Sequence, residues 1–306
     1  MEGESLAEKD IAEKSLEALN DVFADIINGF LFHGEQIIND NLLVDAQPYS
    51  VNETRGHIHG QERDIAKYWI RSDDKRIHGR LALIGIENQT SYDPRMILRV
   101  MDYDLASYKE GYDQRLRYPA VTLVLYFGFS PWGKNRSLSD MLDIPEQLVP
   151  FFSNYKLNLF EVSFLTEEQA ACFRGDFRAV ADYFIHARTD PDYRPKEPVR
   201  FQHAKELLRL MAVLTHDERY RELAEDEEGG IPENMCEVLD RAEARGEARG
   251  EARGEARGRA IGRFDGMLLT LAGLVRDGIL SLSDAAGRAG LSPKEFEEKT
   301  AMLMRP

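Results

Sequence analysis

Leu81-Ala82-Leu83-Ile84-Gly85-Ile86-Glu87-Asn88-Gln89 is the stretch whose reading decides the fold. A mostly apolar run of this length reads as a buried strand, and it ends by placing two polar side chains on one face. Residues two apart in a strand point the same way, so Glu87 and Gln89 share that face. A carboxylate and an amide at the end of a core strand are costly to desolvate unless something engages them, and Mg2+ commonly engages oxygen ligands of this kind. The strand end is therefore the leading candidate site.

A second acid, Asp64, lies upstream in Glu62-Arg63-Asp64-Ile65-Ala66-Lys67-Tyr68-Trp69-Ile70, which reads as a strand followed by the polar turn Arg71 to Arg76. Consecutive strands joined by a turn usually pair, which would bring Asp64 beside Glu87. An Asp on one strand and Glu-x-Gln on the next form an oxygen-ligand cluster able to hold one or two Mg2+ ions, polarise a phosphate and activate water. That chemistry suits phosphodiester hydrolysis. Lys67, three residues along the strand, should face away from Asp64.

Around this pair the periodicities predict a helix from Ser15 to Phe32, with Leu16, Leu19, Phe23, Ile26, Ile27 and Phe30 on its apolar side. A weak strand is expected near Tyr49 to Asn52, and a helix over Met96 to Lys109. Pro119 then precedes a β-branched and aromatic run, Ala120 to Gly128, long enough for a buried strand. Leu157 to Phe164 predicts a further strand. Glu167 to Arg188 predicts a helix with Val180, Tyr183 and Phe184 on its apolar face.

Several blocks taken in order resemble a known family. Phe23-Ala24-Asp25-Ile26-Ile27-Asn28, Gly34-Glu35-Gln36-Ile37-Ile38, Arg63-Asp64, Gly85-Ile86-Glu87-Asn88-Gln89, Val121-Thr122-Leu123-Val124-Leu125-Tyr126-Phe127-Gly128, Pro131-Trp132 and Arg136-Ser137-Leu138 together resemble the recombination-promoting nucleases, or "YhgA-like putative transposases", of the PD-(D/E)xK nuclease superfamily. The resemblance runs from about Lys9 to Arg194. It implies an α/β, restriction-endonuclease-like core of order αβββαβ, a mixed central sheet flanked by helices, and metal-dependent cleavage of DNA. Carried over by position, Asp64 matches the motif aspartate, Glu87 the second acid, and Gln89 the place where most of the superfamily has lysine. Asp64 and Glu87 would hold Mg2+, or Mn2+ in its place. An acid on the first helix often joins such a site; Asp21 and Asp25 are the candidates, with Asp21 preferred for its place near the helix start. A glutamine can hydrogen-bond water but brings no charge to stabilise a pentavalent phosphate, so the metal would carry more of the electrostatic work.

Charge and composition bound the alternatives. A net charge of −15 argues against broad phosphate binding. Yet residues Arg55 to Arg136 hold fourteen Lys and Arg against ten Asp and Glu, so the candidate site lies in a positively biased stretch. No run of eighteen apolar residues and no charged-then-apolar leader is visible, so no membrane span is expected and a cytoplasmic location is. Cys172 and Cys236 match no zinc spacing or disulfide framework. His57 and His59 share a strand face and read as exposed hairpin residues, since zinc partners are not nearby.

Beyond Asp190-Pro191-Asp192-Tyr193-Arg194-Pro195, Pro-rich punctuation suggests a boundary. The expected organisation is a nuclease-like domain over 9–194, a helical extension over 195–240, a Glu-Ala-Arg-Gly repeat over 241–262 and a helical hairpin over 263–306. The repeat, four copies from Glu243 to Gly258 with a degenerate fifth at Arg259 to Gly262, reads as a helix or linker; each interior Gly costs about 1 kcal/mol relative to Ala. Small residues and flanking opposite charges suggest self-association, with an expanded linker as the plain alternative. Ser281 to Phe296 outlines helix, Gly turn, and a helix started by Ser292 with Pro293 first. The acidic balance of its second helix favours a packing hairpin over a major-groove reader. The chain as a whole thus reads as a Mg2+-dependent endodeoxyribonuclease linked to recombination or mobile elements. The alternative is a nuclease-fold DNA-binding or assembly protein that does not cut.

Overall fold

The computed structural model describes residues 16–46, 49–54, 57–62, 64–72, 79–115, 117–190, 193–194, 199–226 and 229–304. Ser15, Arg63, most of the Arg71 to Arg76 turn and part of the Pro-rich stretch fall outside them. The chain divides into two compact units, one reaching to Asp240 and the other beginning at Arg241.

The first unit is built on a mixed five-stranded sheet. Its strands are β1 (Leu43–Asp45), β4 (Ile65–Ile70), β5 (Arg80–Gln89), β6 (Ala120–Tyr126) and β7 (Asn158–Glu161), side by side in that order. β1 and β5 pair antiparallel with β4, whereas β5, β6 and β7 run parallel. β5 is buried from Ala82 to Asn88, as its apolar run requires of a central strand. The weak strand expected near Tyr49 to Asn52 is longer and lies elsewhere. Tyr49–Thr54 (β2) and His57–Glu62 (β3) form a separate two-stranded antiparallel ribbon, and the three-residue β1 takes the edge of the central sheet. The side chains of His57 and His59 are outside the described part.

Helix α1 (Asn20–Phe32) starts later than its apolar periodicity predicts. Leu19 is extended, with φ −70° and ψ 130°, and the Asn20 amide donates to the Leu43 carbonyl at 3.1 Å, fixing the break at the edge of β1. The helix buries Phe23, Ile26, Ile27 and Phe30. Asn28, fully buried, accepts the N–H of Ile37 and Ile38 at 3.1 and 2.9 Å and donates to the Ile38 carbonyl at 2.8 Å. One side chain thus satisfies three backbone groups of the loop after the helix.

Helix α2 (Met96–Asp113) packs Met96 and Val100 on Val124, Tyr126 and Trp132. Its buried Asp104 accepts from Thr122 on β6 at 2.8 Å and from the Tyr155 hydroxyl.

The single helix expected over Glu167 to Arg188 is two: α3 (Glu167–Ala170) and α4 (Phe177–Ala187). Between them the backbone N–H of Arg174 and Gly175 bond to the Asp25 carboxylate at 2.8 and 2.9 Å, holding the chain out of helical geometry. Phe173 fills the space above Gly29, where an added Cβ would sit 2.2 Å from its ring. Asp176 in turn accepts the N–H of Gln202 and His203 at 2.8 and 2.6 Å, tying in the chain ahead of α5 (Ala204–Thr215) and α6 (Glu218–Ala224).

Helix α7 (Met235–Arg276) is helical throughout the Glu-Ala-Arg-Gly repeat. Its repeat glycines are open, with nothing within 4 Å of an added Cβ at Gly246, Gly250, Gly254 or Gly258. In the second unit, α8 (Leu282–Ala289) ends at Gly290, whose φ of 69° is left-handed, and α9 (Pro293–Leu303) opens with a Ser292–Glu295 capping box. Phe296 buries itself against Leu268, Leu271 and Ala286, the arrangement of a packing hairpin. Among the described residues no helix is long and apolar enough to cross a membrane.

Candidate active site

Glu87 and Gln89 lie on the face of β5 that meets α2, next to Val124 and Tyr126 of β6 in the parallel register. β4 and β5 pair Ile65 with Ile86, and one further step along this register sets Asp64 opposite Glu87. Asp64 sits just ahead of β4, and its carboxylate accepts the backbone N–H of Asn88 at 2.7 Å. The two acids act on one common group. The Tyr103 hydroxyl is pushed up to about 12 by burial first and by the charge of Glu87 next, with Asp64 adding to it and Arg99 opposing.

Glu87 is 1% exposed, and one of its oxygens is engaged by two neighbours. The Nε2 of Gln89 donates to its Oε1 at 3.2 Å, and the Arg99 guanidinium forms an ion pair with the same oxygen. Arg99 stands one helical turn before Tyr103 on α2, donates to the Tyr103 hydroxyl at 3.2 Å, and has Asp93 3.6 Å from its Nη1. Burial works against the guanidinium charge, but Glu87, Tyr103 and Asp93 outweigh it and raise the Arg99 pKa. The result is a cluster of two carboxylates, an amide, a phenol and a guanidinium at one strand end.

The strand's other face carries a separate polar contact. Asn88 donates to the fully buried Glu17 at 2.7 Å. Lys67 is on that side too, with its ammonium 5.8 Å from the Phe23 ring and paired with Asp45. It faces away from Asp64, as its spacing along the strand requires.

The first-helix acids are occupied differently. Asp21 meets His203 Nε2 at 2.7 Å, and Asp25 holds the backbone at Arg174 and Gly175. Both line a 270 Å3 cleft with Asp40, Arg174, Asp176 and His203, a cleft whose walls include neither Asp64 nor Glu87. The structure therefore groups Asp64, Glu87 and Gln89 and sets Asp21 with His203. Arg99 and Tyr103 were missed by sequence reasoning, although their signal was present: a cation and a phenol on the apolar stripe Met96, Val100, Tyr103 and Ser107 of one helix.

Fold and cluster together define a mixed α/β protein with a buried acid, Glu87, at the end of its central strand and a second, half-buried acid, Asp64, opposite it. Residues 81–187, about a third of the chain, match the family model described as "Putative transposase, YhgA-like". The resemblance read from the sequence is borne out over this span, which contains Glu87, Gln89, Arg99 and Tyr103 and begins after Asp64. No curated protein and no solved structure matches the chain.

Proposed function

We propose that this protein is a divalent-metal-dependent DNA endonuclease acting in recombination or in the movement of mobile elements. One observation carries the reading: Asp64 opposite Glu87, with Gln89 on the same face, inside a chain that matches a transposase family. The fold is taken as the restriction-endonuclease-like type, and the location as cytoplasmic. Every donor contributed by Asp64 and Glu87 is a carboxylate oxygen, the ligand type that Mg2+ and Mn2+ take. These two residues would hold the ion, which supplies charge to polarise the phosphate and lowers the pKa of a bound water.

The chain's own residues do the rest. The Asn88 N–H fixes the Asp64 carboxylate, so this ligand is oriented before metal arrives. Gln89 steadies Glu87 from the same strand and can orient a water through its amide. Asp21 is left out of the ligand set because it is engaged with His203. The open Glu-Ala-Arg-Gly face of α7 supports self-association in the same proposal; deleting residues Glu243 to Gly262 should lower the oligomeric mass per chain.

The test is cleavage of supercoiled plasmid by the purified chain with Mg2+, with Mn2+, and with EDTA. Metal-dependent nicking that is lost in Glu87→Gln supports the reading. A second reading, a DNA-binding protein that does not cut, is favoured by the Glu87–Arg99 ion pair, which must yield if metal is to reach that oxygen. Salt-dependent DNA binding without any metal-dependent product would select it.

A further inference from the structure

We propose that Arg99 contacts the scissile phosphate and supplies the positive charge that Gln89 cannot; this inference rests on the nuclease reading above. Hydrolysis joins a water oxygen to phosphorus, breaks the bond to the leaving sugar oxygen, and passes the water proton to solvent or to that oxygen. Arg99 takes no proton in this sequence. Its part is to offset charge on the phosphate oxygens as they crowd into a pentavalent arrangement beside two carboxylates.

Three observations support the assignment. First, Arg99 is on the correct face, since its guanidinium bonds Glu87 and Tyr103, whereas Lys67 lies on the opposite face against Phe23. Second, the exposures are graded. The Glu87 side chain is 1% exposed and that of Arg99 35%, so the guanidinium stands between the buried acid and solvent, the side from which a polynucleotide must arrive. Third, a donor remains. The hydrogen bonds to Glu87 and Tyr103 both use Nη2 and Nη1 has Asp93 at 3.6 Å, whereas among the described residues Nε makes no hydrogen bond and keeps its N–H for a phosphate oxygen. Asp93 and Tyr103 steer the group through Nη1 and Nη2 and leave Nε open.

A purely structural role, as the counter-ion that lets Glu87 be buried, predicts something different. It would make Arg99→Met unstable but would leave the number of phosphate contacts unchanged. The experiment therefore reads DNA binding first, by fluorescence anisotropy of a labelled duplex over a range of KCl, with Ca2+ replacing Mg2+ so that binding is seen without cleavage. The proteins are wild type, Arg99→Met, Arg99→Lys, Glu87→Gln and the double variant Glu87→Gln/Arg99→Met, which removes both charges and so spares the fold an uncompensated acid.

Losing one phosphate contact should reduce the slope of log K against log salt by about 0.9, in Arg99→Met relative to wild type and in the double variant relative to Glu87→Gln. Arg99→Lys should keep the slope, because a point charge still neutralises a phosphate. In the plasmid assay Arg99→Met should lower kcat by about a hundredfold or more, with Arg99→Lys intermediate. Unchanged slopes in both comparisons overturn the proposal, whether or not the protein cuts. If wild type never cuts but the slope falls in both comparisons, the nuclease reading fails and the phosphate contact stands. A wild type that binds no DNA removes both.

Discussion

The Asp64 carboxylate accepts the backbone N–H of Asn88 at 2.7 Å, a bond between a residue just outside one strand and the last turn of burial in the next. Asp64 thus has a structural task in addition to its proposed chemical one, and two substitutions separate them. Asp64→Ala removes the acceptor and should cost about 1 kcal/mol of stability as well as cleavage. Asp64→Asn keeps an oxygen for Asn88 and should fold with a denaturation midpoint near that of wild type, yet show no metal-dependent nicking. Full nicking by Asp64→Asn would remove this residue from the mechanism.

Glu87→Gln, unlike Asp64→Asn, is expected to lose stability as well as cleavage. The amide keeps the volume of the acid inside the sheet but leaves the Arg99 guanidinium without its buried counter-charge. A loss of roughly 1 to 3 kcal/mol is expected from breaking a charged hydrogen bond, together with loss of nicking. Mg2+ binding followed by calorimetry should disappear alongside; retained stoichiometric binding would place the ion elsewhere.

Asn28→Ala should be among the more damaging substitutions in the first unit. Two loop N–H groups and one carbonyl lose their partner in a fully buried position. Each such orphan costs about 1 to 3 kcal/mol, so a loss of roughly 3 kcal/mol is expected in urea unfolding. Asn28→Asp retains the acceptor for the two N–H groups but sets an oxygen against the Ile38 carbonyl, so it should cost more at neutral pH, where the acid is ionised, than at low pH, where its protonated form can donate.

Gly29→Ala places a methyl group 2.2 Å from the Phe173 ring. Overpacking of this kind costs about 1 to 3 kcal/mol. Phe173→Leu in the same chain should recover part of it, and failure of the double variant to exceed Gly29→Ala in thermal midpoint would refute the contact.

Asp25 gives a pH dependence. Burial pushes its carboxyl above the ordinary value of 3.8, opposed in part by the N–H of Arg174 and Gly175. A raised folded-state pKa means that the folded chain holds the proton more tightly than the unfolded one. The group therefore favours folding below 3.8, and this contribution is lost as pH rises from 3.8 through the raised value. Asp25→Asn cannot ionise, so the wild type should lose stability relative to this variant as pH rises from 3.8 through the raised value. Parallel unfolding curves across that range would show that the carboxyl is not perturbed.

The central strand and its acids were legible because the information is local. An apolar run that ends in Glu-x-Gln needs no distant residue to be read, and the two-residue period sets which side chains share a face. The third strand of the core was not legible in the same way. Leu43–Asp45 is three residues long, and the stronger alternating pattern belongs to a ribbon that pairs with itself. Nor could the sequence separate the uses of Asp21 and Asp25. Their partners, His203 and the backbone at Arg174 and Gly175, lie 182, 149 and 150 residues away. Arg99 belongs to a middle class: its spacing from Met96 and Tyr103 put it on the buried stripe of α2, where an arginine needs an acid.

The bonds from Asp176 to Gln202 and His203 bear on where this chain can be cut. The Pro-rich punctuation near residue 194 invites truncation there, but a chain ended at that point would strand a carboxylate that is 3% exposed with both of its amide partners gone. The α3–α4 corner would lose its anchor on one side while Asp25 still gripped it on the other. A fragment intended to isolate the sheet and its Asp64–Glu87 pair should therefore run to Asp240, the end of the first compact unit.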